Sequence, residues 1–150
     1  LADLQTNKCG ANPLDPLNCT PAHPFRKAAL KNDLRNFVPA NPVMLCGGNA
    51  DPTVFWVNTQ LTQAFFQGKG FPAAALPVLD VDSAVTGATD PFAAAKVGFA
   101  TSKAKVIAAA QAAGQNPATA VASAYHGTLV PPFCNAAARG FFQQVLAQSN

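Results

Sequence analysis

The sequence has no glutamate, two histidines, one tryptophan, one tyrosine and one methionine in 150 residues. Any acid, base or metal site must therefore be drawn from seven aspartates, His23 and His126. Charge is also scarce, at 11% of residues, and the net charge of +3 comes from ten scattered lysines and arginines. Without a run of neighbouring cations there is no stripe to track phosphates, which argues against nucleic acid as a partner. No apolar run approaches the roughly 20 residues of a membrane span, because proline, glycine or a charge interrupts each one. No glycine-rich loop carries a lysine that would grip phosphate. The four cysteines include no Cys-x-x-Cys pair and none stands beside a histidine at zinc spacing, so no cofactor or metal is expected and two disulfides are.

What the sequence does hold is packing material: 49% apolar residues and eleven phenylalanines, enough for one ordinary core and incompatible with a disordered tail or a coiled coil. Four cysteines allow three pairings. Cys9 and Cys19 bracket the proline-rich segment Cys9-Gly-Ala-Asn-Pro-Leu-Asp-Pro-Leu-Asn-Cys19, which favours their pairing and leaves Cys46 with Cys134. Disulfides require an oxidising compartment, and the first residue is Leu1 with no charged and apolar leader, so a mature secreted product, extracellular or periplasmic, is expected.

Along the chain, residues 1–24 read as a proline-rich surface loop. The spacing of Phe25, Ala28, Ala29, Leu30, Leu34 and Phe37 predicts a short amphipathic helix. Val43-Met44-Leu45-Cys46, ended by Gly47-Gly48, and Leu76-Pro77-Val78-Leu79-Asp80-Val81 read as two buried parallel strands, with a helix from about Thr59 to Gln67 between them. Asp90-Pro91 and Asn116-Pro117 each give an N-cap followed by proline, predicting helices that reach Ala113 and about Ala124, and Asn135 opens a last helix to about Gln148. Two parallel strands alone do not make a stable sheet.

Asp51 lies just beyond the first apolar run, where open α/β sheets carry their functional loops, and His126 lies between two predicted helices. Gly48-Asn49-Ala50-Asp51-Pro52-Thr53-Val54 matches the Gly-x-x-Asp-x-x-Val setting of the triad acid in secreted α/β-hydrolases of the lipase and esterase kind, and His126-Gly127 matches a common form of the base. Over residues 36–83 and 124–148 the chain resembles the C-terminal part of that fold. The resemblance implies an α/β class with two parallel strands and flanking helices, incomplete without an upstream segment. It further implies a serine hydrolase acting on carboxylic esters, with Asp51 as acid and His126 as base. Asp80 and Asp82, at the end of the second strand, are the alternative acids. Cys46 precedes Asp51 and Cys134 follows His126, so a disulfide between them would tie the acid loop to the base loop.

The family pattern is departed from twice. Residues 84–123 look helical where a modest loop is usual, and read as an insertion. No Gly-x-Ser-x-Gly elbow exists, and Ser83, Ser102, Ser123 and Ser149 lack its strand–turn–helix setting. The nucleophile and oxyanion hole are therefore expected outside this chain, with the missing N-terminal segment of the same hydrolase as partner and a small apolar ester as substrate. Residues 1–40 then form a disulfide-closed loop and short helix at the end of a cap or connecting region, and residues 41–150 the C-terminal part of the hydrolase domain. Two rivals remain: a secreted, disulfide-stapled binder of an apolar ligand, and a hydrolase-fold descendant that has lost its nucleophile.

Overall fold

The computed structural model describes residues 24–32 and 37–148, which fall into two compact units. Cys9, Cys19 and His23 lie outside the described residues, and the Cys9–Cys19 pairing with them.

One unit comprises the described residues of 1–43 together with 60–76. Its first helix, α1 (Pro24–Lys31), ends well before Phe37, where the apolar spacing had carried it. The N–H and side-chain amide of Asn32 both return to the Ala28 carbonyl, at 3.1 and 2.8 Å, and close the last turn. Most of α2 (Val57–Gly68) belongs here and buries Phe65 and Phe66. The helix stops because Gly70 takes φ +86°, a value that costs glycine little. The Phe71 N–H then reaches the Phe66 carbonyl and the Gly70 N–H that of Gln67, both at 2.9 Å. This turn brings the Phe71 ring 6.2 Å from Phe66, and a short 3-10 turn (Ala73–Ala75) leads to the buried Leu76.

The other unit comprises residues 44–59 and 77–150 and holds both parallel strands. Strand β1 (Leu45–Gly47) pairs with β2 (Val78–Asp80), with Leu45 opposite Val78, Cys46 opposite Leu79 and Gly47 opposite Asp80. Each is three residues long, shorter than the apolar run that predicted it. Helices α3 (Ala93–Ala112), α4 (Pro117–Ala124) and α5 (Val130–Gln148) flank this ribbon, α5 packing on β1 and α3 packing on α4 and α5. The mixed α/β arrangement with flanking helices is as expected.

The core of this unit is Leu79, Val81, Phe99, Tyr125, Leu129 and Val130. Phe99 is wholly buried, so the helical stretch between residues 84 and 123 shares the same core as the strands. Asn116 caps α4 as expected, its side chain accepting from the Ala118 and Thr119 N–H groups at 2.9 and 3.3 Å. Asp90 acts earlier than expected, because α3 starts at Ala93 with Phe92 as its cap. Its Oδ1 accepts from Phe92 N–H, and its Oδ2 accepts from Thr86 N–H and from the Lys96 ammonium at 2.8 Å.

The largest departure is around His126, which was expected on a loop. A π-helical turn (Tyr125–Leu129) joins α4 directly to α5, which starts at Val130 and not at Asn135. The Val130 N–H donates to the Tyr125 carbonyl, five residues back. Pro131 and Pro132 then occupy the first turn of α5, where their missing donors cost little. In a continuous α-helix those two N–H groups would bond the carbonyls of Gly127 and Thr128, and these exposed residues can give their carbonyls to water instead.

Candidate active site

The parallel pairing puts the carboxyl ends of β1 and β2 side by side, and Asp51, Asp80 and Asp82 stand at or just beyond those ends. After Gly47 the chain turns at once, with Asp51 N–H donating to the Gly48 carbonyl at 3.2 Å. Asp51 is 6% exposed. Its two carboxylate oxygens are divided between two tasks. Oδ1 accepts from the N–H groups of Thr53 and Val54, at 2.8 and 3.0 Å, and shapes the turn around Pro52 as aspartate commonly does. Oδ2 bonds His126 Nδ1 at 2.8 Å.

Burial acts to raise the Asp51 pKa, but the His126 hydrogen bond and the two backbone donors together outweigh it and hold the carboxyl below its ordinary value. The group is therefore a carboxylate at neutral pH, and Nδ1 must carry the hydrogen that it accepts. His126 stands at the other extreme of burial, with 48% of its side chain exposed. It owes this to the π turn, which buries Tyr125 and Leu129 while leaving His126, Gly127 and Thr128 outside. Nε2 has no partner among the described residues, and no serine hydroxyl there bonds it.

Asp80 and Asp82, the alternative acids, are engaged elsewhere. Asp80 accepts from the Asn49 N–H and side-chain amide and from the Asp82 N–H. Asp82 accepts the Tyr125 hydroxyl at 2.6 Å and the Lys103 ammonium at 2.7 and 2.9 Å. Geometry thus brings Asp51 to His126 and leaves the other two aspartates holding the surrounding turns. Tyr125 and Lys103 were not singled out from the sequence. The one signal for the former was that the sole tyrosine adjoins the candidate base.

Cys46 in β1 and Cys134 in α5 form a disulfide, with their Cα atoms 5.6 Å apart. It fastens the strand that leads into the Asp51 turn to the helix that follows His126. Trp56 lies against Gly47, where a Cβ would be 3.3 Å from the indole, while Val54, Phe55 and Val57 beyond Asp51 are exposed. Among the described residues no three His, Cys, Asp or Glu side chains gather as a metal site, and no helix is long and apolar enough to cross a membrane.

Fold and site together define a disulfide-stapled α/β chain with a buried carboxylate bonded to an exposed imidazole beyond a parallel strand. In comparisons with known proteins, the chain matches no protein family, no curated protein and no solved structure.

Proposed function

We propose that this chain is the C-terminal part of a secreted serine α/β-hydrolase acting on carboxylic esters, in which Asp51 and His126 are the acid and the base. The observation that carries the proposal is the 2.8 Å bond from His126 Nδ1 to a buried carboxylate whose other oxygen is already fixed by the backbone. That bond selects the tautomer in which Nε2 has a free lone pair, the state a general base needs. A hydroxyl attacking an ester gives its proton to Nε2 as the tetrahedral intermediate forms, the imidazolium is stabilised by Asp51, and the same proton passes to the departing alcohol. The disulfide agrees with an oxidising compartment. The hydroxyl and the oxyanion donors would come from an upstream segment whose strands complete the two-stranded sheet, because such a ribbon leaves an open edge on each side.

The exposed Val54, Phe55 and Val57 suit the apolar part of an ester, and equally the second reading, a non-catalytic binder of an apolar ligand. One experiment separates them. The full gene product carrying this chain is treated with a fluorophosphonate and assayed on a short-chain nitrophenyl ester. Labelling of a serine outside these 150 residues, with turnover abolished by His126→Ala, supports the hydrolase. A folded protein that neither labels nor turns over ester overturns it in favour of the binder.

A further inference from the structure

Tyr125 and Ala50 are the immediate predecessors of His126 and Asp51. The Ala50 N–H donates to the Tyr125 hydroxyl at 3.3 Å, so two successive residues of one turn bond two successive residues of the other. The tyrosine is fixed on every side. It is 2% exposed, its ring meets Phe99 edge-on at 5.5 Å, and its hydroxyl donates to Asp82 at 2.6 Å. Asp82 is in turn held by both of its oxygens on Lys103, whose ammonium lies 5.8 Å from the tyrosine ring. Burial, and then the bond to Asp82, push the phenol well above its ordinary pKa, so it stays a neutral donor and keeps a lone pair for Ala50. Gly48 completes the fit, since a Cβ there would stand 2.5 Å from the hydroxyl oxygen.

We propose that Tyr125 is the positioning residue of the Asp51–His126 pair, its hydroxyl setting the distance between the acid turn and the base turn through Asp82 and Lys103. The proposal rests on the acid–base reading above. The exposed imidazole has little packing of its own to orient it, and the buried neighbour that precedes it supplies the anchor.

The test is the His126 Nδ1 proton, followed by NMR far downfield of the amides in the full gene product, with Asp51→Asn as the control for its assignment. Tyr125→Phe and Asp82→Ala should each raise its solvent exchange about tenfold and lower kcat by a similar factor with little change in KM, while Asp82→Asn, which keeps an acceptor for the hydroxyl but gives up the charge that holds Lys103, should fall between them and the wild type. Should Tyr125→Phe not fold, Lys103→Met loosens the same anchor from outside the core and should move exchange in the same direction. Variants that lose thermal stability but leave proton exchange and kcat unchanged would reduce Tyr125 to core packing and overturn the proposal, with the acid–base reading intact. A wild-type spectrum with no downfield proton sensitive to Asp51→Asn would instead overturn the acid–base reading.

Discussion

Asn49 and Asp80 are joined twice, by the backbone N–H of Asn49 to Oδ1 at 3.0 Å and by its side-chain amide to Oδ2 at 2.8 Å. A turn that leaves one strand is thereby anchored on the last residue of the other, and Asp51, two residues further on, inherits the rigidity of both. Asp80, at the end of β2, thus anchors the turn that carries Asp51.

Replacing Asp51 by asparagine keeps the size of the side chain but removes the charge and lets the amide present a donor to Nδ1. Turnover in the full gene product should fall by about 10⁴-fold with the fold retained, as expected when an imidazole is held in the wrong tautomer. Steady-state ester kinetics with circular dichroism on the same sample measure this, and a loss of less than tenfold would remove Asp51 from the site.

Gly48→Ala should destabilise the protein by about 1–3 kcal/mol, because the new methyl meets the buried Tyr125 hydroxyl and neither the strand end nor the tyrosine can yield freely. Urea unfolding reads the loss. An unchanged midpoint would mean that the acid turn is not closely fitted to Tyr125.

Removing the Cys46–Cys134 disulfide by double replacement with alanine releases a closure of 88 residues. The chain-entropy account puts the loss at about 4–5 kcal/mol. Unfolding of oxidised and doubly substituted protein in parallel gives the difference, and values below about 1 kcal/mol would count against the crosslink as a staple.

Asp90 supplies a pH test independent of the site. The bond to Lys96, followed by those from the Thr86 and Phe92 N–H groups, holds its carboxyl far below the ordinary value of 3.8. A depressed folded-state pKa gives stability that is complete above the unfolded-state value and is lost as pH falls towards the folded-state one. The stability gap between wild type and Asp90→Asn should therefore be constant from neutral pH to about 5 and narrow only below the ordinary carboxylate range. Urea midpoints across that range check it, and a gap that widened on acidification would contradict the ion pair.

Local signals in the sequence were sufficient for some elements and misleading for others, according to how far away the deciding partner lay. Asn116-Pro117 and the glycine at 114 act within one turn of the helix ends they mark, and α3 does end before Gly114, which takes φ +64°. Val43–Cys46 and Leu76–Val81 were legible as strands by their apolar character, although only two residues of the first run and three of the second pair. His126 was expected on a loop between two helices; a proline pair breaks a helix interior, and nothing local says that Pro131 and Pro132 sit in a first turn. The meeting of Tyr125 with Asp82, and of Asp82 with Lys103, depends on residues 43 and 21 positions apart, and no pattern of spacing encodes it. By itself Asp51 was legible as a turn former beyond a strand, and one of its oxygens does hold that turn; its pairing with His126 was an expectation drawn from the hydrolase resemblance.

The wide turn from Tyr125 to Leu129 amounts to a single residue inserted into an otherwise continuous helical rod. Each α-helical residue advances about 100° around the axis, so the extra one sets the rod's two halves out of phase by about that angle. Deleting Gly127 would remove that offset and swing the imidazole away from its carboxylate, while leaving Pro131 and Pro132 in what would then be a helix interior. The downfield imidazole proton would vanish with it, because the pair is built on a fault in a regular lattice of backbone bonds.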